Sequence, residues 1–215
     1  GNDSQKSHVL LNITEPSTPE EKLKGYFFAI CEIGNGDNKY IVKLQEIIDE
    51  IDNNYYEITD QEDKTSLEIV LDKINQQSFN LRKNNVKLDC IIGAIRKSEI
   101  IFTFCGQPQI LLFYKNRLEQ YKKIDLVNEN QNTDEEAENQ HLFSQMIQGK
   151  ISDQDYFFAG TSHVTDYFNH DRLQKIISSR PPRQSAEHLE RVLKELKSEL
   201  SFGGIIIHLQ KQNDT

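Results

Sequence analysis

The helical patterns in this sequence come in pairs, and each pair lies between groups of strand-like segments. The first pair covers residues 38–56 and 65–83, and the second covers 170–179 and 185–200. A parallel, doubly wound sheet would instead place one helix between each strand and the next. The order of elements therefore predicts an α+β fold, an antiparallel β-sandwich flanked by pairs of antiparallel helices in α-β-β-α layers.

The spacing of apolar residues is the basis of these assignments. In the first helical segment, Ile41, Leu44 and Ile48 recur on one face, as in an amphipathic α-helix. The segment "VKLDCIIGAIRK" places alternate residues on one face, which is typical of a strand. The polar segment "STPEEKLK" is interpreted as a connection between the first two strands.

The chain has 215 residues, which is enough for one sizeable hydrophobic core. We predict a single domain over residues 8–210, with flexible ends at 1–7 and 211–215. The stretch "NENQNTDEEAENQ" is rich in charged and amide side chains, and it predicts a mobile acidic loop at roughly residues 127–141.

The charge and cysteine content restrict the partners and the compartment. The formal net charge is −9, which argues against nucleic acid because phosphate backbones bind basic surfaces. No apolar run approaches the roughly 20 residues of a membrane span, so we predict no membrane association within this sequence.

Cys31, Cys90 and Cys105 are odd in number and lack C-x-x-C spacing. This favours reduced, buried thiols that bind no metal, and a cytoplasmic protein.

The segment "GYFFAICEIGNGD" reads as a strand ending in Glu32, followed by a glycine turn and the start of a helix. Such a turn can hold a metal or a phosphate, because the first N–H groups of a helix are free. The turn lacks the full G-x-G-x-x-G pattern, and Asp37 would repel an anion there. A simple turn with Asp37 as the helix N-cap is the favoured interpretation.

A second cluster of reactive side chains lies in "TSHVTDYFNHD". His163, Asp166 and His170 could share a helical face and form a surface site for zinc. Ser162, His163 and Asp166 could instead act as a hydrolase triad. Neither spacing is diagnostic, and a capped turn leading into a helix accounts for the same residues.

Four segments carry a family resemblance, and they are "GYFFAICEIGNG", "LDCIIGAIRKSEIIFTFCGQPQILLFYKNRL", "DYFFAGTSHVTDYF" and "SAEHLERVLKELKSELSFGGIIIHL". In order and spacing they resemble the metal-dependent protein phosphatases, the protein phosphatase 2C family, over roughly residues 8–210. The resemblance implies a central β-sandwich flanked by helix pairs. It also implies aspartates at three strand ends that hold two divalent cations, which activate the water that attacks phosphorus.

The positions that match these aspartates carry other residues. Glu32 stands at the first, Ser162 with His163 at the second, and Phe202 with Gly203 at the third. One carboxylate among three is too few for Mg²⁺ or Mn²⁺. The resemblance therefore predicts degenerate metal-site positions at Glu32, Ser162 and Gly203, with no catalytic residue, no metal and no cofactor. We find no basic residue placed near the start of the chain to hold the substrate phosphate; His8 is the nearby candidate, and it is isolated.

These substitutions predict a non-catalytic pseudophosphatase that acts as an interaction or regulatory module for a protein partner, with its oligomeric state left open. One alternative is an active Mn²⁺- or Mg²⁺-dependent phosphatase that combines Glu32 with Asp89, Asp155 or Asp166. Another is an unrelated α/β domain that binds a small ligand. An enzyme would have to gather two or more carboxylates around Glu32 in the fold.

Overall fold

The structure is a computed structural model that describes residues 7–34, 38–77, 86–130, 142–196 and 201–209. The strands in these ranges are β1 (Ser7–Thr14), β2 (Tyr26–Gly34), β3 (Lys87–Arg96), β4 (Glu99–Cys105), β5 (Gln109–Lys115), β6 (Tyr121–Asp125), β7 (Ile147–Lys150), β8 (Tyr156–Gly160) and β9 (Gly204–His208). The helices are α1 (Pro19–Lys24), α2 (Asn38–Glu57), α3 (Ser66–Gln77), α4 (Leu126–Glu129), α5 (Val164–Tyr167), α6 (His170–Ser178) and α7 (Pro182–Leu196).

The strands form two sheets that pack face to face. One has the order β1-β2-β3-β4-β7 and the other the order β6-β5-β8-β9. All of the described strand pairs are antiparallel. The predicted α+β sandwich is therefore confirmed.

Three buried layers hold the sheets and helices together. The layer between the sheets contains Phe28, Ile30, Ile91, Phe102, Ile110, Phe157 and Ile205. The pair α2 and α3 covers the outer face of the five-stranded sheet, with Leu44, Ile48, Ile51, Leu67 and Ile74 among its buried residues. The pair α6 and α7 covers the four-stranded sheet, with Leu173, Ile177, Leu189 and Leu193. The apolar stripes seen in the sequence are the faces buried in these outer layers.

Four elements were not predicted from the sequence, namely α1, α4, β6 and β7. Helix α1 lies in the segment that was interpreted as a connection. Thr18 and Glu21 form a capping box at its start, in which each side chain accepts a hydrogen bond from the backbone of the other residue. The helix has no buried residue, so it lacks the apolar stripe that marks the longer helices.

The expectation of reduced thiols is wrong for two of the three cysteines. Cys31 on β2 and Cys90 on β3 face each other in the strand register, and their sulfurs form a disulfide. Cys105 on β4 lies opposite Cys90 on its other side. The sequence spacing gives no sign of this arrangement, because it depends on how β2, β3 and β4 pair.

The flexible segments predicted at the two ends and in the acidic stretch lie largely outside the described residues. Where they overlap the described ranges, Ser7 is the first residue of β1, and residues 127–129 lie in α4. The division into one domain and flexible segments stays a prediction. Within the described part of the chain, every helix is too short or too polar to cross a bilayer.

The Tyr56 hydroxyl connects α2 to the start of β2 through hydrogen bonds. It donates a hydrogen bond to the Gly25 carbonyl at 2.8 Å and accepts one from the Phe27 N–H at 3.1 Å. Burial is the main cause that raises the pKa of Tyr56 from 10.0 to about 12, and burial also raises the pKa of Tyr55. Since the phenol binds its proton more tightly in the folded state, its stabilising contribution is complete below pH 10.

We expect the free energy of unfolding to fall as the pH rises from about 10 to about 12, the window between the unfolded and folded pKa values. Tyr56→Phe removes the titrating hydroxyl and should make this fall smaller. Denaturant unfolding followed by circular dichroism across that window measures the effect. Tyr26→Phe is the control, because Tyr26 is 45% exposed. A pH dependence that is equal in wild type and Tyr56→Phe would contradict the expectation.

Candidate active site

Two buried carboxylates meet at one end of the sandwich. Glu32 lies near the end of β2 and Asp89 near the start of β3, and the two residues are directly opposite each other in the register. Each is only 5% exposed. Side chains two residues apart on a strand share a face, and the neighbours Ile30 and Ile91 belong to the layer between the sheets. Both carboxylates therefore point to the inside of the sandwich.

The two carboxylates differ in their hydrogen bonds. One oxygen of Asp89 accepts the backbone N–H of Gln107 at 2.8 Å, and the other is 3.8 Å from the Lys87 ammonium. In contrast, the Oε2 atom of Glu32 is buried and has no hydrogen-bond partner. A buried polar atom without a partner is rare in folded proteins and often marks a site for a water or an ion.

The electrostatics of this pair favour a cation. Like charges placed directly opposite each other destabilise an antiparallel sheet, and a buried carboxylate without a partner costs further free energy. A divalent cation beside Glu32 and Asp89 would offset both costs. The free oxygen of Glu32 is the atom of this pair that remains available as a ligand.

The donor set fits one hard cation. Mg²⁺ commonly binds through one or two carboxylates together with the phosphate of a substrate. Among the residues that the structure describes, no group of three His, Cys, Asp or Glu side chains could hold a metal ion. The described Glu32 and Asp89 carboxylates would thus hold one ion that binds together with a phosphate.

The turn between β4 and β5 supports Asp89. Gly106 has a φ of +72°, and a Cβ atom there would lie 2.3 Å from the Asp89 carboxylate and 2.3 Å from the Leu88 carbonyl. Only glycine tolerates both the left-handed backbone and this close approach.

Gly106→Ala is expected to destabilise the protein by about 2–4 kcal/mol, since a strained backbone and a steric clash add together. It should also move the Asp89 carboxylate. Urea unfolding measures the loss, and Gly149→Ala is the matched control, because nothing lies within 4 Å of a Cβ at Gly149. Equal stability of the two variants would show that the turn adapts without cost.

Two of the predicted degenerate positions lie next to strands of the opposite sheet. Gly203 precedes β9, and a Cβ atom there would lie 2.6 Å from the Val9 side chain; Val9 is opposite Glu32 in the register. Thr161 follows β8 and exchanges two hydrogen bonds with Gly203. Ser162 is half-buried in the next turn. The fold thus brings Gly203 beside Val9, the register partner of Glu32, and Thr161, which was not named from the sequence, is hydrogen-bonded to Gly203.

Of the predicted surface site at His163, Asp166 and His170, the first two residues are in contact with each other, whereas His170 has another partner. His163 Nδ1 lies 2.9 Å from Asp166 Oδ2, in an exposed contact at the start of α5. His170 instead contacts the Lys123 ammonium. Burial is the main cause that lowers the pKa of His170, and the charge of Lys123 is the next. His163 and Asp166 therefore form a local pair.

Two of the alternative metal ligands named from the sequence, Asp89 and Asp155, lie in different places in the structure. Asp89 is beside Glu32, whereas Asp155 closes a turn before β8, where it accepts the Ser152 N–H at 2.9 Å. Lys87 was missed, although it lies two residues before Asp89 and supplies a cation next to it. Gly34 of the glycine turn is the last residue of β2, whereas residues 35–37, which include Asp37, lie outside the described residues.

This four-layer sandwich is the fold of the protein phosphatase 2C-like, PPM-type serine/threonine phosphatases. The Mycobacterium tuberculosis phosphatase PstP/Ppp matches with a TM-score of 0.57 and 10% identity, over 95% of this chain and 99% of that chain. The serine/threonine phosphatase from Staphylococcus aureus matches with a TM-score of 0.62 and 12% identity, over 96% of each chain. PppA of Pseudomonas aeruginosa matches with a TM-score of 0.61 and 11% identity, over 94% and 97%. No protein-family model and no curated protein sequence matches the chain.

These neighbours correct one prediction. The sequence led us to expect that the chain is not an enzyme, but solved structures that match it over nearly their whole length are named as serine/threonine phosphatases. The expectation of a non-catalytic chain is therefore wrong. It rested on single positions matched to the family's aspartates, and Asp89, which lies opposite Glu32 in the strand register, was named only as an alternative ligand. The shared topology also excludes an unrelated fold.

Proposed function

We propose that this protein is a metal-dependent phosphatase that removes phosphate from phosphorylated serine or threonine side chains of proteins. The observation that carries the proposal is the buried Glu32 Oε2 atom, which lacks a hydrogen-bond partner and sits opposite Asp89. The solved structures of the same fold that are named as serine/threonine phosphatases support the choice of substrate class.

Each residue around the pair has a physical role in this proposal. Glu32 and Asp89 would hold one Mg²⁺ or Mn²⁺ ion, and the Gln107 N–H fixes the orientation of the Asp89 carboxylate. When bound, such an ion supplies charge neutralisation to the phosphoryl oxygens. Lys87 has a side chain that is 63% exposed and lies 3.8 Å from Asp89, so its ammonium can reach a phosphate outside the buried pair. This role replaces the one predicted for His8.

The test is a calorimetric titration of the protein with Mn²⁺ and Mg²⁺, paired with turnover of p-nitrophenyl phosphate and of a phosphoserine peptide. We expect binding of one ion per chain and metal-dependent release of phosphate. Lys87→Gln should raise the KM for the substrate and leave the affinity for Mn²⁺ unchanged. Absence of both binding and turnover in the folded protein would overturn the proposal.

A further inference from the structure

The outer edges of the two sheets differ in how they are protected. Edge strands of soluble proteins are usually short or carry lysine, which prevents pairing with another chain. Strand β6 carries Lys122 and Lys123, and β7 has four residues and ends in Lys150. Strand β9 has five residues and contains no Lys, Arg, Asp or Glu. Strand β1 also lacks these residues, and with eight residues it is the longest of the described edge strands. Within the described ranges, no strand pairs with its outer edge.

The same strand exposes apolar side chains. Leu11 is 53% exposed and Ile13 is 55% exposed, and both point to the same face of β1 as Val9. Beside them, a groove of about 550 Å³ runs between β1, α7 and the start of β9. Its apolar lining includes Val9, Leu11, Leu189, Leu193, Phe202 and Ile206. This flank therefore combines an open backbone edge with an apolar surface.

We propose that β1 pairs in antiparallel fashion with β1 of a second copy of this chain, which joins the two five-stranded sheets across a twofold axis. A pairing with Leu11 opposite Leu11 places Val9 opposite Ile13 on both sides of the axis. A slip of one residue would set Val9 against Asn12 or Thr14, and a slip of two would set Ile13 against Ser7 or Val9 against Glu15. The sequence of β1 thus selects one self-complementary register.

Charge complementarity favours a second copy in this register. His8 of one copy comes opposite Thr14 of the other, and both lie on the other face of the strand. The Thr14 hydroxyl donates to the Asp52 carboxylate at 2.5 Å, and Asn12 donates to the same oxygen at 3.0 Å. The second oxygen of Asp52 has no hydrogen-bond partner. That oxygen is buried, and the symmetry therefore brings the exposed His8 imidazole near the negative charge of the Thr14–Asp52 pair at each end of the joined strands.

Because the chain is strongly negative, two copies associate most favourably through a surface that carries no acidic residue. Two copies that each carry −9 repel each other at long range. Strand β1 has no acidic residue, and its exposed apolar side chains gain from leaving water. The contact between β1 strands therefore adds backbone hydrogen bonds and apolar burial without placing acidic strand residues against one another.

Sedimentation equilibrium of the full chain tests the proposal. We expect wild type to form a dimer, and Leu11→Lys to weaken it at least about tenfold, because a lysine at a paired edge position opposes association. Leu118→Lys is the matched control, since Leu118 is 76% exposed and lies in the turn between β5 and β6. Circular dichroism shows that the variants are folded, and Ile13→Lys provides a second substitution on the same face.

A change of charge at His8 distinguishes pairing in this register from nonspecific association through apolar surface. His8→Asp should weaken the dimer, because it places a carboxylate near Asp52 of the other copy, whereas His8→Lys should retain it. A wild type that stays monomeric at every concentration would overturn the proposal, even if β1 captured a strand of another protein. A dimer that survives Leu11→Lys unchanged would overturn it as well.

Discussion

Glu32→Gln is expected to abolish metal binding and phosphatase activity without unfolding the protein. Loss of a residue that merely orients a metal ligand typically costs 10–100-fold in affinity, so loss of a ligand carboxylate should cost at least about 100-fold. The charge opposite Asp89 also disappears, and like charges in this arrangement destabilise a sheet. The folded state of the variant should therefore be as stable as wild type, or more stable.

The measurements are Mn²⁺ titration, phosphate release and denaturant unfolding on the same preparations. Asp89→Asn should give the same loss of binding and turnover. Glu187→Gln is the control, because this carboxylate is 61% exposed on α7 and should leave all three quantities unchanged. If Glu32→Gln retained full turnover, the buried pair would not be the site. If it lost stability instead, Glu32 would be structural.

Phe157→Ala is expected to lower the free energy of unfolding by about 3–5 kcal/mol, the usual cost of removing a large aromatic side chain from a core. Phe157 is 1% exposed between the two sheets. Its ring centroid lies 6.1 Å from that of Phe28 and 5.7 Å from that of Phe102. The substitution leaves a cavity bounded by both sheets, which cannot collapse without changing their separation.

Urea unfolding gives this value from the transition midpoint when the slope is unchanged. Leu118→Ala serves as the exposed control and should change the free energy by no more than about 0.5 kcal/mol. A loss for Phe157→Ala as small as that of the control would mean that the sheets are loosely packed. The layer between the sheets would then not be the main core.

Some of the fold was predictable because its signals are local. The stripe containing Leu44 and Ile48 has the helical period, and the helices that carry such stripes occur in pairs. The small helix α1 was missed, although the Thr18–Glu21 capping box is visible in the sequence. It buries no residue, so no apolar period marks it. Strand β7 was missed because four residues are too few to show an alternation.

Only part of the candidate site could be predicted from the sequence. Glu32 was identified because it ends an apolar strand before a glycine turn, which is a local pattern. Asp89 could be named only as one of several acids, since nothing near it in sequence points to Glu32. The same limit explains the error about Cys31 and Cys90, whose disulfide needs the register of β2 and β3.

The sequence by itself determined the α+β class, the helix pairs and the acidic end of β2, because hydrophobic periodicity reports which face of each element is buried. Only the tertiary structure decided which side chains meet across strands. It placed Asp89 against Glu32, left one oxygen of Glu32 without a partner, and put Gly203 beside Val9. The physical reason is that strand register and sheet packing are set by contacts between residues far apart in the chain, and no local pattern encodes them.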